Sequence, residues 1–139
     1  MALSKASASW QGGFKDGKGT MKGAHTSETA FTAGTRFEGQ PGSNPEELIG
    51  AALAGCYSMA LTLSLEKAGM KPSRVDTMAE VKGERVEGAF TITTIDLVTK
   101  AVVPGADAAK FQQVAEDTRK GCPVSRALKS TINLNASLA

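Results

Sequence analysis

The chain has few of the residues that build metal sites or nucleic-acid surfaces. It contains one histidine, His25, and two cysteines without Cys-x-x-Cys spacing. His25 lies among Gly, Ser and Thr, so neither a zinc site nor a Ser-His-Asp triad is predicted around it. The net charge is only +2, and no Lys/Arg run alternates with aromatic residues. These absences argue against a metal, another cofactor or nucleic acid as a partner.

Large side chains and a recognisable leader are also lacking. Seven aromatic residues stand against 21 Ala and 15 Gly in a chain of 139 residues. Small side chains bury little apolar area, so we expect further burial against a second copy of the chain. Residues 1–5 begin no apolar signal-peptide core, which predicts a cytoplasmic protein.

One long uncharged stretch covers residues 48–65. It is long enough to span a membrane, but Gly, Ser and Thr interrupt it and carboxylates flank it. We therefore predict a wholly buried helix and no membrane partner. Asn44 is a favourable cap, Pro45 a favourable first residue and Gly69 a favourable stop, so the helix is predicted over 45–68.

Elsewhere the periodicity is mostly that of strands. Alternation of apolar and polar residues, with glycines and other turn residues between the segments, predicts strands over 6–10, 18–22, 29–32, 35–37, 75–82, 90–102 and 131–138. A slip of the apolar phase near Thr93 predicts a β-bulge. Amphipathic spacing predicts a helix over 107–120, and Cys122 begins a short helix that ends near Lys129. This order of elements indicates an α+β fold with a single domain, 1–139.

The two cysteines carry the most chemistry. Cys56 lies midway along the long predicted helix, and Cys122 lies at a helix start, where unpaired N–H groups lower a thiol pKa. The residues alone leave three interpretations open: two small buried side chains, a structural disulfide, or a redox pair. A structural disulfide is not expected to persist in a reducing cytosol.

Four segments resemble the OsmC/Ohr family, the osmotically inducible and organic hydroperoxide resistance proteins. They are Arg36-Phe37-Glu38-Gly39, residues 44–52, residues 54–61 and Gly121-Cys122-Pro123-Val124-Ser125. The Asn-Pro-Glu-Glu-Leu run favours the osmotically inducible branch. The resemblance implies antiparallel sheets packed around a long buried central helix. It also implies an intertwined homodimer with active sites at the subunit interface.

The resemblance further implies an enzyme, a thiol-dependent peroxidase that reduces organic hydroperoxides in oxidative or osmotic stress. It implies Cys56 as the peroxidatic cysteine, Cys122 as the resolving cysteine, and Arg36 with Glu47 as the activating pair. Hydroperoxide would convert Cys56 to a sulfenic acid, and Cys122 would close a disulfide. An external dithiol, carried in this family by a lipoylated protein, would reduce it. Glu46, one residue earlier, competes with Glu47 for the pairing.

Helical phase gives one expectation about the dimer. Glu47 and Cys56 are nine residues apart, so they face about 180° apart on a straight helix. We therefore expect Glu47 to serve Cys56 of the partner subunit, which would place the active site across the interface.

The substrate pocket is predicted from apolar residues near these positions. They are Phe37, Ile49, Leu53 and Met59. An apolar lining favours an organic hydroperoxide over hydrogen peroxide. The alternative is a non-catalytic, stress-induced binding protein that holds a small hydrophobic ligand in the same cleft.

Overall fold

The computed structural model describes residues 1–139, and its internal contacts group them into two compact units, Met1–Glu47 and Leu48–Ala139. The elements are β1 (Ala6–Gln11), β2 (Lys18–Gly23), β3 (Thr29–Phe31), α1 (Ala33–Phe37), α2 (Pro45–Lys67), β4 (Arg74–Val86), β5 (Ala89–Val102), α3 (Ala108–Gly121), α4 (Pro123–Ala127) and β6 (Thr131–Leu138). The boundary between the units falls inside α2. Folding as one domain stays a prediction.

In the N-terminal unit, β1, β2 and β3 form an antiparallel sheet in that order. Gly19 of β2 lies opposite Trp10 of β1 and Phe31 of β3. A Cβ on Gly19 would come within 2.6 Å of the Trp10 ring and 2.8 Å of the Phe31 ring. The glycine therefore lets the two rings meet across the sheet, with centroids 5.5 Å apart. The alternation of apolar residues with serines in β1 is typical of a half-buried strand, but all six of its residues are exposed.

The strand predicted over 35–37 is also wrong, because these residues belong to helix α1. A reciprocal pair of hydrogen bonds begins this helix: Thr35 N–H donates to Thr32 Oγ1 (3.1 Å), and Thr32 N–H donates to Thr35 Oγ1 (2.9 Å). This capping box satisfies two backbone donors that a short helix otherwise leaves open. It overrides the strand preference of threonine and places Arg36 in the last turn of α1.

In the C-terminal unit, the sheet order is β4-β5-β6. β4 and β5 are antiparallel, whereas β6 runs parallel to β5. The expectation of purely antiparallel sheets is therefore wrong for β6, since α3 and α4 provide the crossover that a parallel pairing needs. Lys82 pairs with Thr94 and Gly83 with Ile92, so Thr93 is the extra residue of a bulge. The predicted bulge is confirmed.

One face of α2 packs into the core of the C-terminal unit. Leu53, Tyr57, Leu61 and Leu65, spaced four residues apart, have no exposed surface. They pack with residues of β5, α3 and β6, and the Tyr57 hydroxyl donates to the Ala115 carbonyl (3.0 Å). Other core members are Ile95, Leu97, Phe111 and Ile132. A helix spaced this way presents one continuous stripe to its core.

The opposite face of α2 lies open in the single chain. This apolar stripe consists of Ala51, Ala52, Gly55, Met59 and Leu63, all exposed. The expectation of a helix buried on every side is therefore wrong for one copy. By length and composition α2 is also the one helix that could cross a membrane. Its Leu and Tyr stripe instead packs into the core.

Candidate active site

Cys122 and Ser125 form a small hydrogen-bonded unit at the start of α4. Cys122 is the N-cap residue and Pro123 the first helical residue, as predicted. The Ser125 N–H donates to Cys122 Sγ (3.5 Å), and Ser125 Oγ lies 3.3 Å from the same sulfur. Cys122 is only 2% exposed. Its sulfur is therefore shielded from solvent and held by donors from one neighbouring residue.

Cys56 lies in the middle of α2, half-buried, and both cysteines are free thiols. Cys56 packs against the core cluster that contains Cys122, and each thiol shifts the pKa of the other, although they are 66 positions apart in the sequence. The fold therefore brings together the two residues singled out from the sequence. No cluster of three or more His, Cys, Asp or Glu side chains able to hold a metal is present.

The surroundings shift the two thiols in opposite directions. Burial is the main cause that raises the pKa of the Cys56 thiol; a hydrogen bond from the Val124 backbone opposes it, and the neighbouring Cys122 adds to the rise. Burial also opposes ionisation of Cys122, but the Ser125 hydroxyl and N–H, together with Cys56, bring its pKa below the ordinary value. The lowered pKa expected for Cys122 is thus found.

Arg36 pairs with Glu46 in the N-terminal unit. Its Nε donates to Glu46 Oε1 (2.9 Å) and its Nη2 donates to the same oxygen (2.6 Å). Glu46 is 7% exposed, and Asn44 Nδ2 donates to the Thr35 carbonyl (3.4 Å), which ties the start of α2 to α1. A forked donor on a buried carboxylate fixes the orientation of the guanidinium.

The predicted pairing of Arg36 with Glu47 is therefore wrong. Glu47 is exposed and accepts from Ser43 Oγ (3.1 Å), while its N–H donates to the Asn44 cap (2.8 Å). Neighbouring residues of a helix point about 100° apart, so only one of the two glutamates can face Arg36. Glu47 occupies the third position of a helix that Asn44 caps, a position at which Glu is common.

An aromatic cavity of about 400 Å³ adjoins Arg36 in the same unit. Its lining is Trp10, Gly12, Phe14, Phe31, Thr32, Ala33, Arg36 and Phe37. The Phe14 and Phe37 rings lie 6.1 Å apart, and the Arg36 guanidinium lies 5.0 Å from the Phe37 centroid. Sequence reasoning included Phe37 but missed the other three rings. The one available signal was their concentration within the first forty residues.

The predicted pocket of Phe37, Ile49, Leu53 and Met59 is not reproduced as a set. Leu53 is a core residue with no exposed surface, and Ile49 packs against that core. Met59 is 77% exposed and lines a separate groove with Gly55, Ser58 and Thr62. Helical phase explains this, because Ile49 and Leu53 share the core face of α2 and Met59 lies on the other.

A further cavity of about 490 Å³ borders Cys122 in the C-terminal unit. Its apolar wall includes Leu63, Val114 and Pro123, and its charged residues are Lys67 and Asp117. This cavity borders Cys122 from the side of α3.

Comparison with known proteins identifies the family. A family model described as OsmC-like protein matches residues 37–137, well over half of the chain. The chain belongs to the OsmC family. Peroxiredoxin OsmC of Escherichia coli (strain K12) is 45% identical over 136 residues, which are 96% of this chain and 95% of that protein. The organic hydroperoxide resistance protein of Xanthomonas axonopodis pv. citri (strain 306) is 30% identical over 102 residues, 73% and 70% of the two chains.

Solved structures of OsmC and Ohr proteins share the fold. An OsmC-like protein of unknown function from Vibrio cholerae superposes with a TM-score of 0.79 at 16% identity, over 99% of this chain and 100% of that one. The organic hydroperoxide resistance protein OhrB of Bacillus subtilis gives a TM-score of 0.72 at 24% identity, with 99% and 100% covered. The family resemblance and the α+β fold are thus confirmed.

Proposed function

We propose that this OsmC-family protein is a cysteine-based peroxidase that reduces organic hydroperoxides to alcohols. The observation that carries the proposal is that two free thiols, Cys56 and Cys122, lie in the same core cluster and shift one another's pKa. Cysteines that serve only as small buried side chains have no reason to lie beside a second free thiol. The names of the Escherichia coli and Xanthomonas relatives support a role in peroxide removal.

Exposure supports Cys56 as the residue that meets the peroxide. Cys56 is half-buried, whereas Cys122 is almost inaccessible. The Cys56 thiolate attacks the terminal peroxide oxygen, the O–O bond breaks, and the protonated alkoxide leaves as an alcohol. The resulting sulfenic acid is attacked at sulfur by the Cys122 thiolate, which releases hydroxide and forms a disulfide. An external dithiol then restores both thiols, and we propose a lipoylated protein as its carrier in a cytoplasmic setting.

Arg36, held by Glu46, is the proposed activating cation. Burial raises the pKa of Cys56 in the single chain, so a thiolate there needs added positive charge. Glu46 and Cys56 are ten residues apart in α2, about 15 Å along a helix axis. We therefore propose that Arg36 and Glu46 act on Cys56 of the partner subunit, in a homodimer whose second copy covers the apolar stripe of α2.

The aromatic cavity supports an organic substrate. Trp10, Phe14, Phe31 and Phe37 offer ring surface to a hydrocarbon group, and Arg36 offers donors to peroxide oxygens. Hydrogen peroxide has no apolar part with which to use such a lining. We expect faster turnover of an aryl or long-chain alkyl hydroperoxide than of hydrogen peroxide.

The test is to treat the reduced protein with one equivalent of cumene hydroperoxide and to map thiols by mass spectrometry. A Cys56–Cys122 link within one chain should form in seconds. Cys122→Ser should instead accumulate a sulfenic acid on Cys56 that dimedone traps, and Cys56→Ser should leave the peroxide unconsumed. If wild type forms no such link while the peroxide persists, the proposal fails.

The same cavity favours a second candidate, a non-catalytic binding protein for a small hydrophobic ligand. Its aromatic lining would hold such a ligand without any thiol. Saturable binding of cumyl alcohol, unchanged in Cys56→Ser and unaccompanied by peroxide consumption in wild type, would support this alternative.

A further inference from the structure

The reduction of a Cys56–Cys122 disulfide can begin at either sulfur, and the structure distinguishes the two. Cys122 Sγ is nearly inaccessible, accepts from the Ser125 N–H (3.5 Å) and lies 3.3 Å from the Ser125 hydroxyl. Cys56 is half-buried and therefore the more exposed of the pair. Ser125 is itself buried, and the backbone donor beside Cys56 is that of Val124.

We propose that the external dithiol attacks Cys56, and that Ser125 is a positioning residue that holds Cys122 as the departing sulfur. This inference rests on the proposed function, since only a peroxidase of this kind needs the disulfide reduced in every cycle. Attack in thiol–disulfide exchange favours the accessible sulfur, and departure favours the sulfur that better carries negative charge. Here the greater exposure of Cys56 and the Ser125 N–H that holds Cys122 select the same direction.

The steps balance as an ordinary exchange. A thiolate of the dithiol forms a bond to Cys56 Sγ, the Cys56–Cys122 bond breaks, and Cys122 leaves with the electron pair, stabilised by Ser125. The second thiolate of the dithiol attacks its own mixed-disulfide sulfur, and Cys56 leaves as a thiolate. The dithiol is oxidised to a cyclic disulfide, and the two protons that it lost return to the cysteines or to solvent.

The opposite direction also has a structural route. The cavity bordering Cys122 has an apolar wall and carries Lys67 and Asp117. A reductant entering there would attack Cys122 and expel Cys56. We favour departure of Cys122, because the Ser125 N–H donates to its sulfur (3.5 Å) and because Cys56 is the more accessible sulfur for attack. The two directions predict different mixed disulfides, which makes the choice measurable.

The first experiment uses the wild-type protein and avoids hydroperoxide. Diamide forms the Cys56–Cys122 disulfide, 2-mercaptoethanol is added, and the mixture is quenched with acid within seconds, alkylated and mapped by mass spectrometry. The expected majority product carries mercaptoethanol on Cys56 and an alkylated Cys122. A majority adduct on Cys122, or no intramolecular disulfide after diamide, overturns the proposal. Because diamide replaces the peroxide, failure here is distinct from failure of the peroxidase activity.

The second experiment tests Ser125 against a matched control. Ser125→Ala should slow reduction of the diamide-formed disulfide by about tenfold, the effect of losing a hydrogen bond to a developing thiolate, and should shift adducts toward Cys122. Ser130→Ala removes a hydroxyl that donates to the Ile92 carbonyl (2.8 Å) in the same unit and should change neither readout. An unchanged rate and adduct distribution in folded Ser125→Ala would overturn the role of Ser125. If that variant does not fold, the wild-type adduct still decides the direction.

Discussion

At the residue scale, the ion pair of Arg36 with Glu46 differs from the predicted pair with Glu47 by one position in the sequence. The sequence presents Glu46 and Glu47 side by side in the first turn of a capped helix, and composition, charge and propensity are identical for both. The two glutamates differ only in which of them faces α1. That orientation depends on the hydrogen bond from the Asn44 side chain to the Thr35 carbonyl. Residue type was therefore predictable, whereas the choice between neighbours needed tertiary contacts.

Glu46→Gln should reduce kcat/KM for cumene hydroperoxide by about tenfold to a hundredfold, because a neutral amide holds the guanidinium less firmly. Glu47→Gln is the matched control, since its exposed carboxylate bonds only to Ser43, and it should remain close to wild type. Steady-state rates with a saturating dithiol measure both. Equal losses in the two variants would contradict the assignment.

The acidity of Cys122 gives a pH-dependent prediction. Burial opposes ionisation, but hydrogen bonds from Ser125, with smaller ones from Cys56 and Val124, together bring the pKa of Cys122 below the ordinary thiol value of 9.0. In Cys56→Ser, thiolate absorbance near 240 nm should therefore titrate below pH 9.0. Adding Ser125→Ala should move the titration to higher pH. A titration that Ser125→Ala leaves in place would contradict this account.

At the scale of elements, the features that depend on residues close in sequence were predicted correctly, and those that depend on distant contacts were not. The start of α2 and the Thr93 bulge depend on neighbours in sequence, and both were predicted correctly. The pairing of β6 with β5 depends on the path of α3 and α4, which strand periodicity does not contain. α1 was missed because its threonines also suit a strand, and only their reciprocal hydrogen bonds make them a cap.

Thr35→Val tests this cap. Valine keeps the shape and removes the hydroxyl that accepts from Thr32 N–H, so the variant should lose about 1 kcal/mol of unfolding free energy. Activity should fall with it, because α1 carries Arg36. Urea unfolding and kcat/KM are the measurements, and Thr29→Val in β3 is the control. Stability equal to wild type would show that the capping box contributes little.

At the scale of the whole molecule, the abundance of small residues has a definite location. Ala51, Ala52 and Gly55 lie on the exposed stripe of α2 with Met59 and Leu63, where short side chains permit close approach of another helix. Length and composition indicated that a second copy was needed. They could not locate its contact, because α2 is apolar nearly all round and its phase is set by the core.

Met59→Glu should therefore weaken self-association, since it places a charge on the exposed stripe and away from the core. Sedimentation of wild type should give a dimer, and that of the variant a larger share of monomer. Met78→Glu is the matched control, because Met78 is equally exposed on β4. Equal dimer fractions in the two variants would argue against the α2 stripe as the contact.

A shared active site makes a sharper prediction, because two inactive variants should complement each other. Arg36→Ala keeps Cys56, and Cys56→Ser keeps Arg36. If each site combines Arg36 of one copy with Cys56 of the other, a mixed dimer contains one intact site and one doubly defective site. Refolding equal amounts together makes half of the dimers mixed, so activity should recover to about a quarter of wild type. A site built within one chain gives no recovery, because every chain in the mixture lacks one of the two residues.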